Sequence, residues 1–334
     1  MISMSAVADK AGVSRATVSY ILNNSRLAEK ISPDTRQRVL ETAQEMGYHR
    51  NEIARSIKRG KTRSLGLLVN YLQAEQVVRM LDGAIQEAAR HGYLIKILRL
   101  TDNGTDCQTV LRCFEQRLAG IMALYVCGEV LENLNAEAKR TETPLVHLDS
   151  SDPASQGLHI MSDDAQGFDL AVEHLTSLGH HRIGFLNGRL IGAPRYKMFL
   201  QAMTKRGLDV PAQYVSQTDV SRHEIEKATH ALLDLPQPPT AILAATDLWA
   251  LIAASTAQNR GLRVPHDLSV MGYGDLLPGV YFNPALTTIR QPFPDMGEVA
   301  VRRLIQADFH FENNAIELLP TRLEHRDSTT HPKS

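Results

Sequence analysis

Apolar residues in the first 48 positions recur at helical spacing in three short blocks. Advancing about 100° per residue from Arg15 puts Val18, Ile21 and Leu22 on one side of a helix and Ala16 and Tyr20 on the other, with Arg15 and Ser19 at the edge. Val7, Ala8, Ala11 and Val13 offer a matching apolar stripe just upstream, and Gly12 lies between the two. Two short helices joined by a glycine-containing turn are therefore predicted. Ser32-Pro33-Asp34 reads as the start of a third helix, with a capping hydroxyl, proline at the first helical position and an acid in the first turn. Val39, Leu40, Ala43 and Met46 supply its apolar side and Gly47 its end. The next stretch, 51–63, carries Ile53, Ala54 and Ile57 on one face and several cations on the other, and is too short to hold a helix by itself.

From Ser64 onward the period changes. Short apolar runs at 65–69, 94–98 and 121–124 alternate with amphipathic segments at 77–91 and 108–117 and a helix ending before Pro144. The pattern restarts after Ser162, with a helical stretch at 167–178 and strands at 183–186 and near 241–244 and 268–271. Such alternation predicts parallel sheets with crossover helices, hence two similar α/β lobes with a cleft between them.

Length agrees with that division, because 334 residues exceed one ordinary core and suit a small head on a larger body. Residues 1–63 hold twelve Lys or Arg against six Asp or Glu, a balance of +6 inside a chain whose formal charge is −1. A basic head attracts phosphate, while the acidic remainder limits indiscriminate adhesion to a duplex. No run approaches the roughly 18 apolar residues of a membrane span, and the N-terminus lacks the regions of a signal peptide, so a cytoplasmic protein without membrane contact is expected. Cys107, Cys113 and Cys127 have no metal-ligand spacing and are read as buried structural thiols. The pair His180-His181 is likewise read as structural. No G-x-G-x-x-G, Walker, G-x-S-x-G or H-E-x-x-H pattern occurs in the body, so no enzyme, cofactor or metal is expected.

A helix-turn-helix with a basic surround lays its second helix in the DNA major groove. On that helix Arg15 is placed to donate to guanine, Ala16 to touch a thymine methyl and Tyr20 to offer its hydroxyl or ring, while Thr17 and Ser19 position phosphates. Ser14 and Asn23 flank the same helix. In the following stretch Asn51, Ala54, Arg55, Ile57 and Lys58 are the candidate contacts, with Ile57 from two subunits wedged into a kinked minor groove.

Over nearly its whole length the sequence resembles the lactose/galactose repressor (LacI/GalR) family. The resemblance is carried in the head by Ala11-Gly12-Val13-Ser14, Thr17-Val18-Ser19, Asn23, Thr35-Arg36, Val39, Tyr48, Asn51 and Ala54-Arg55-Ser56. In the body it is carried by Val146-His147-Leu148-Asp149, Gly179-His180-His181-Arg182-Ile183, Arg195, Thr246-Asp247, Val264-Pro265, Leu286-Thr287-Thr288-Ile289 and Gln291-Pro292. It implies a three-helix head (1–48), a hinge segment (49–62) and a two-lobed effector domain (63–328) similar to a periplasmic sugar-binding protein. The first lobe would take about 63–161 and 291–320, the second about 162–290 and 321–328. Asp149, Arg195 and Thr246 would line the effector cleft, joined by Asn70, Tyr71 and Asp275. The sequence departs from the family at Tyr20, Arg50 and Ile57, and at Gly274, where the family usually places an acid directly after the aromatic.

The reading is thus a homodimeric transcriptional regulator, a repressor, that binds a near-palindromic double-stranded operator and responds to a small molecule, a carbohydrate or related metabolite. No leucine heptad follows the ending at 322–329, which favours a dimer over a tetramer. Two alternatives stand beside it: the same fold controlled by a protein partner or by no ligand, and a soluble carbohydrate-binding protein.

Overall fold

The computed structural model describes residues 2–23, 25–48, 62–100, 107–150, 156–188, 193–218, 221–306 and 315–333. The chain divides into two compact units, Met1–Thr62 and Arg63–Ser334.

In the first unit, α1 (Met4–Ala11) ends at Gly12, whose φ of 65° is left-handed and suits glycine. The chain then enters α2 (Arg15–Leu22), capped by the Ser14 hydroxyl, which accepts from the Thr17 amide at 3.0 Å. A 3-10 turn (Arg26–Lys30) leads to α3 (Pro33–Glu45), capped by Ser32. Val7, Ala8, Ala11, Val18, Ile21, Leu22, Ala28, Val39 and Ala43 form the core, with Val13 and Met46 packed against it. Leu40 departs from expectation: it is 45% exposed, and Thr42 takes the buried place. Position 40 lies about 100° around the helix from Val39, off the stripe formed by 39, 42, 43 and 46. Arg38 ties α3 to α1 by donating from Nε to the Ala11 carbonyl at 3.1 Å.

The second unit holds the strands β1 (Ser64–Val69), β2 (Leu94–Arg99), β3 (Gly120–Leu124), β4 (Leu145–Leu148), β5 (Leu158–Ser162), β6 (Ile183–Gly188), β7 (Val215–Thr218), β8 (Ala241–Ala244), β9 (Ser269–Gly274), β10 (Thr287–Arg290), β11 (Ala315–Leu319) and β12 (Arg322–Glu324). Two six-stranded sheets result, ordered β2-β1-β3-β4-β5-β11 and β7-β6-β8-β9-β10-β12. The order is the same in both, and β12 is the antiparallel member of the second. Strand order reverses between β1 and β3 and again between β6 and β8, and at such a switch point a crevice opens beyond the carboxyl ends of the strands. The inner strands β1, β3, β4, β8 and β9 are buried at every residue, because helices cover both faces, and so they read as predominantly apolar runs.

The covering helices are α4 (Glu75–Arg90), α5 (Cys107–Glu115), α6 (Gly128–Arg140), α7 (Asp164–Ser177), α8 (Ala193–Lys205), α9 (Arg222–Leu233), α10 (Asp247–Asn259), α11 (Leu277–Tyr281) and α12 (Phe293–Gln306). On the first sheet α4 and α12 touch backbone to backbone. A Cβ at Gly83 would fall 2.0 Å from the Pro294 carbonyl oxygen, and one at Gly297 would fall 1.9 Å from that of Met80.

The chain crosses between sheets at 162–164, 290–293 and 319–322, and these crossings bond one another. Gln291 Nε2 donates to Ser162 Oγ at 2.7 Å, and the Asp163 amide to the Leu319 carbonyl at 2.8 Å. A further tie is made by side chains. Leu276, at the end of the second sheet, packs into the apolar cluster of the first. Arg79 Nη1 donates to the Asp275 carbonyl at 2.8 Å, both Glu75 oxygens accept from the Leu277 amide at 3.0 Å, and Glu75 pairs with Arg79 at 2.7 Å.

His180 is buried, its ring bonded to Thr240 at 2.8 Å, Ser269 at 3.0 Å and the Thr330 carbonyl at 2.7 Å. It anchors the C-terminal segment to the second lobe. Cys113 is buried, and burial pushes its thiol up to about 12. Cys127 is exposed, against the expectation of buried thiols, because it stands at the exposed N-cap position of α6, where its side chain makes no capping bond.

Candidate DNA-reading helix and effector cleft

The face of α2 opposite its core leaves Arg15, Ala16 and Tyr20 exposed, together with Ser14 and Asn23, while Thr17 and Ser19 are half-buried. The polar members bond along the helix: Ser14 with Thr17 at 2.9 Å, and Asn23 Nδ2 with Ser19 Oγ at 3.1 Å. Those contacts hold the helix ends and leave Arg15, Ala16 and Tyr20 as the outward surface. Asn51, Ala54, Arg55, Ile57 and Lys58 lie outside the described residues.

In the second unit the expected effector residues converge on the carboxyl ends of the strands. Asn70 follows β1, Tyr125 follows β3, Asp149 follows β4 and Thr246 follows β8. Tyr125 (φ 55°), Asp149 (φ 50°) and Asp275 (φ 59°) all have left-handed backbone, a strain that collects at binding edges. Asn70 Nδ2 donates to the Tyr125 carbonyl at 2.8 Å, spanning the first switch point, and Tyr71 beside it is exposed. The Tyr125 hydroxyl donates to Asp149 at 2.8 Å. Burial and the neighbouring Asp164 push the Asp149 carboxyl above its ordinary range, against Arg195 and the Tyr125 hydrogen bond.

Arg195 sits at the centre of this arrangement, already engaged. Its Nε donates to Asp164 at 3.0 Å, Nη1 to the Ala245 carbonyl at 2.6 Å and Nη2 to Gln291 at 3.3 Å, and the guanidinium stacks 4.5 Å over the Tyr273 ring. Burial works against its charge, but Asp164, Tyr273 and Asp149 overcome that and hold it protonated more firmly than a free arginine. Asp164 also accepts from Ser162 at 2.7 Å and from the Tyr273 hydroxyl at 2.8 Å. The network Gln291–Ser162–Asp164–Arg195 thus joins the cleft to two of the crossings.

Two expected residues are committed elsewhere. Thr246 caps α10, accepting from the Trp249 amide at 3.4 Å. Asp275 is buried with its carboxylate on Arg326, and Arg290 lies 3.7 Å away, so that carboxylate is already paired. At Gly274, where the sequence departs from the family pattern, the backbone is one that side chains rarely adopt. Its φ is 136°, and a Cβ there would lie 3.5 Å from an oxygen of the buried Asp247, so an acid at 274 would face another acid. Asp164, Ser162, Tyr125, Tyr273 and Gln291 join the hydrogen-bond network of the candidate site, and sequence reasoning does not single them out for it; an acid opening a helix directly after a strand is the visible trace of Asp164. Among the described residues no group of three or more His, Cys, Asp or Glu is placed to hold a metal, and no helix is long and apolar enough to cross a membrane.

A three-helix head ahead of two doubly wound lobes defines a class: DNA-binding regulators whose body is of the periplasmic-binding type. Comparisons with known proteins agree. Residues 3–51 match the family described as bacterial regulatory proteins, lacI family, and residues 172–329 match the periplasmic binding protein-like domain. The chain is 32% identical over 328 residues to the HTH-type transcriptional repressor PurR of Aliivibrio salmonicida, covering 96% of this chain and 97% of that protein. It is 30% identical over 340 residues to the PurR of Escherichia coli O139:H28, covering 99% and 98%. The crystal structure of the lac repressor dimer bound to operator and the anti-inducer ONPF superposes with a TM-score of 0.83 at 28% identity, covering 98% of this chain and 99% of that one. The protein belongs to the lacI family of bacterial regulatory proteins. It is a DNA-binding transcriptional regulator with an effector domain, and its relatives are repressors rather than enzymes.

Proposed function

We propose that the protein is a cytoplasmic, homodimeric repressor of a near-palindromic operator, with Arg15, Ala16 and Tyr20 reading base edges and Ser14, Thr17, Ser19 and Asn23 setting α2 against phosphate. The observation that carries this reading is the exposed, partly cationic face of a capped α2 whose opposite face is spent on the head core. Asn51, Ala54, Arg55, Ile57 and Lys58 are proposed to add hinge contacts, Ile57 as the minor-groove wedge.

The effector is a small polar molecule taken between the lobes. Asn70, Tyr71, Asp149 and Arg195 are its proposed contacts. Arg195 is suited to transmit binding, because its partners Asp164 and Gln291 stand on the crossings that connect the lobes. A ligand that prefers one lobe arrangement shifts operator affinity by its differential affinity for the two arrangements.

Selection of a preferred duplex from a random library, followed by titration of that duplex in rising salt, tests the DNA reading. A steep salt dependence with no sequence preference would refute it. Repeating the titration with candidate effectors distinguishes a corepressor, which tightens binding, from an inducer, which loosens it.

A further inference from the structure

Asn187 stands out among the polar residues of the second lobe. It is fully buried, and neither its Oδ1 nor its Nδ2 has a hydrogen-bond partner. A buried amide left unmet is costly, and native interiors rarely keep one without a use.

Its position gives the use. Asn187 is the penultimate residue of β6, at the switch point between β6 and β8. Side chains alternate along a strand, so Asn187 shares a face with Phe185, which packs on Phe168 and Phe199 of α7 and α8. Leu186 pairs with Ala244, which sets Asn187 level with Ala245, whose carbonyl receives Arg195. The amide therefore lies beside the guanidinium network without joining it. Asn70 holds the corresponding place in the first lobe, directly after β1 at the β1/β3 switch point, and its Oδ1 is also buried and unpartnered. Each lobe thus holds one asparagine with unused hydrogen-bonding capacity at the carboxyl-end switch point of its sheet.

The charge of the site restricts what meets them. Among the described residues the cation beside Asn187 is Arg195, which Asp164 already holds with Asp149 close by, leaving it less free to take a phosphate or carboxylate. An amide offers one donor and one acceptor side, which suits a hydroxyl or another amide.

We propose that Asn187 is an effector contact, and that it binds an uncharged donor–acceptor group of a polyhydroxy or amide-bearing ligand. The proposal rests on the effector reading of the cleft. Replacing the amide with an apolar side chain of similar volume should then do two opposite things: stabilise the empty protein and weaken the filled one.

The test uses the full-length protein and Asn187→Leu, with Asn187→Ala as a second variant should leucine not fit. Trp249 is the chain's one tryptophan and its ring abuts Gly188, so intrinsic fluorescence reports both unfolding and binding. D-ribose, cellobiose, hypoxanthine and ribose 5-phosphate serve as probes. At least one variant should unfold at higher denaturant than wild type when empty, and both should bind the neutral probe that wild type prefers at least tenfold more weakly. If both variants unfold earlier than wild type when empty, the amide is satisfied within the protein and the proposal falls. An unchanged dissociation constant overturns the Asn187 assignment while leaving the effector reading intact. Preference of wild type for ribose 5-phosphate overturns the uncharged ligand, and absence of saturable binding to every probe overturns the effector reading and this proposal with it.

Discussion

Asp247 is buried against Thr288 Oγ1 and the Leu276 amide, each at 2.5 Å, and burial raises its carboxyl from an ordinary 3.8 to about 6. Folding an acid into a site that prefers its neutral form has a definite sign. Below about pH 4 both folded and unfolded chains hold the proton, and the contribution to stability is fully present. Between about 4 and 6 the unfolded chain releases the proton first, so stability falls as pH rises, and above about 6 the loss is complete. A rise of that size corresponds to roughly 3 kcal/mol. An asparagine side chain is neutral at every pH, can accept from the Leu276 amide and can donate to Thr288, so Asp247→Asn should remove the slope. The measurement is urea unfolding of both proteins from pH 4.5 to 7.5, followed by Trp249 fluorescence, with the difference taken at each pH so that other titrating groups cancel. Wild type should lose about 2 kcal/mol relative to the variant across that window. A difference that stays flat, or that moves in favour of wild type as pH rises, would show an ionised Asp247 held by its donors and by Arg326, and the reasoning would be wrong.

Other consequences are open to direct measurement. Arg15→Ala and Tyr20→Ala should each weaken the selected operator by about 1 to 3 kcal/mol and spare random DNA; equal losses on both duplexes would remove base reading from these side chains. Gly83→Ala should destabilise the first lobe by about 2 kcal/mol, overpacking against the Pro294 carbonyl outweighing a helix-propensity gain of about 1 kcal/mol, and unfolding at the wild-type midpoint would contradict the close helix contact. Ser14→Ala removes the cap of α2 and should cost the head about 1 kcal/mol, read as earlier loss of helical circular dichroism in the head's own transition.

Most of the fold is legible in the sequence because burial on two faces leaves a plain trace. The strands at 65–69, 121–124 and 241–244 are continuous apolar runs, and they sit inside their sheets. Edge strands leave less: Val215–Thr218 is largely polar, and nothing in its pattern announces a strand. Helix α10 is apolar nearly all round, so periodicity does not identify it. The reading face of α2 is legible for the opposite reason, since one face of a short amphipathic helix defines the other. The cleft is harder. Arg195 meets Asp164 across 31 residues and Gln291 across 96, and only the crossing topology brings them together. Nor does a linear pattern show that Thr246 is a cap, or that the Asp275 carboxylate turns toward Arg326.

The clasp of Glu75 and Arg79 grips the carbonyl of residue 275 and the amide of residue 277. Its polar grip reaches main-chain atoms, so those bonds hold the lobes for any side chain at 275 and any but proline at 277. Substitution at 275 changes the partner offered to Arg326 without discarding these hydrogen bonds, whereas substitution at 75 or 79 removes them. The proposed effector contacts Asn70, Tyr71 and Asp149 take no part in these bonds, so substitution among them leaves the clasp between the lobes in place.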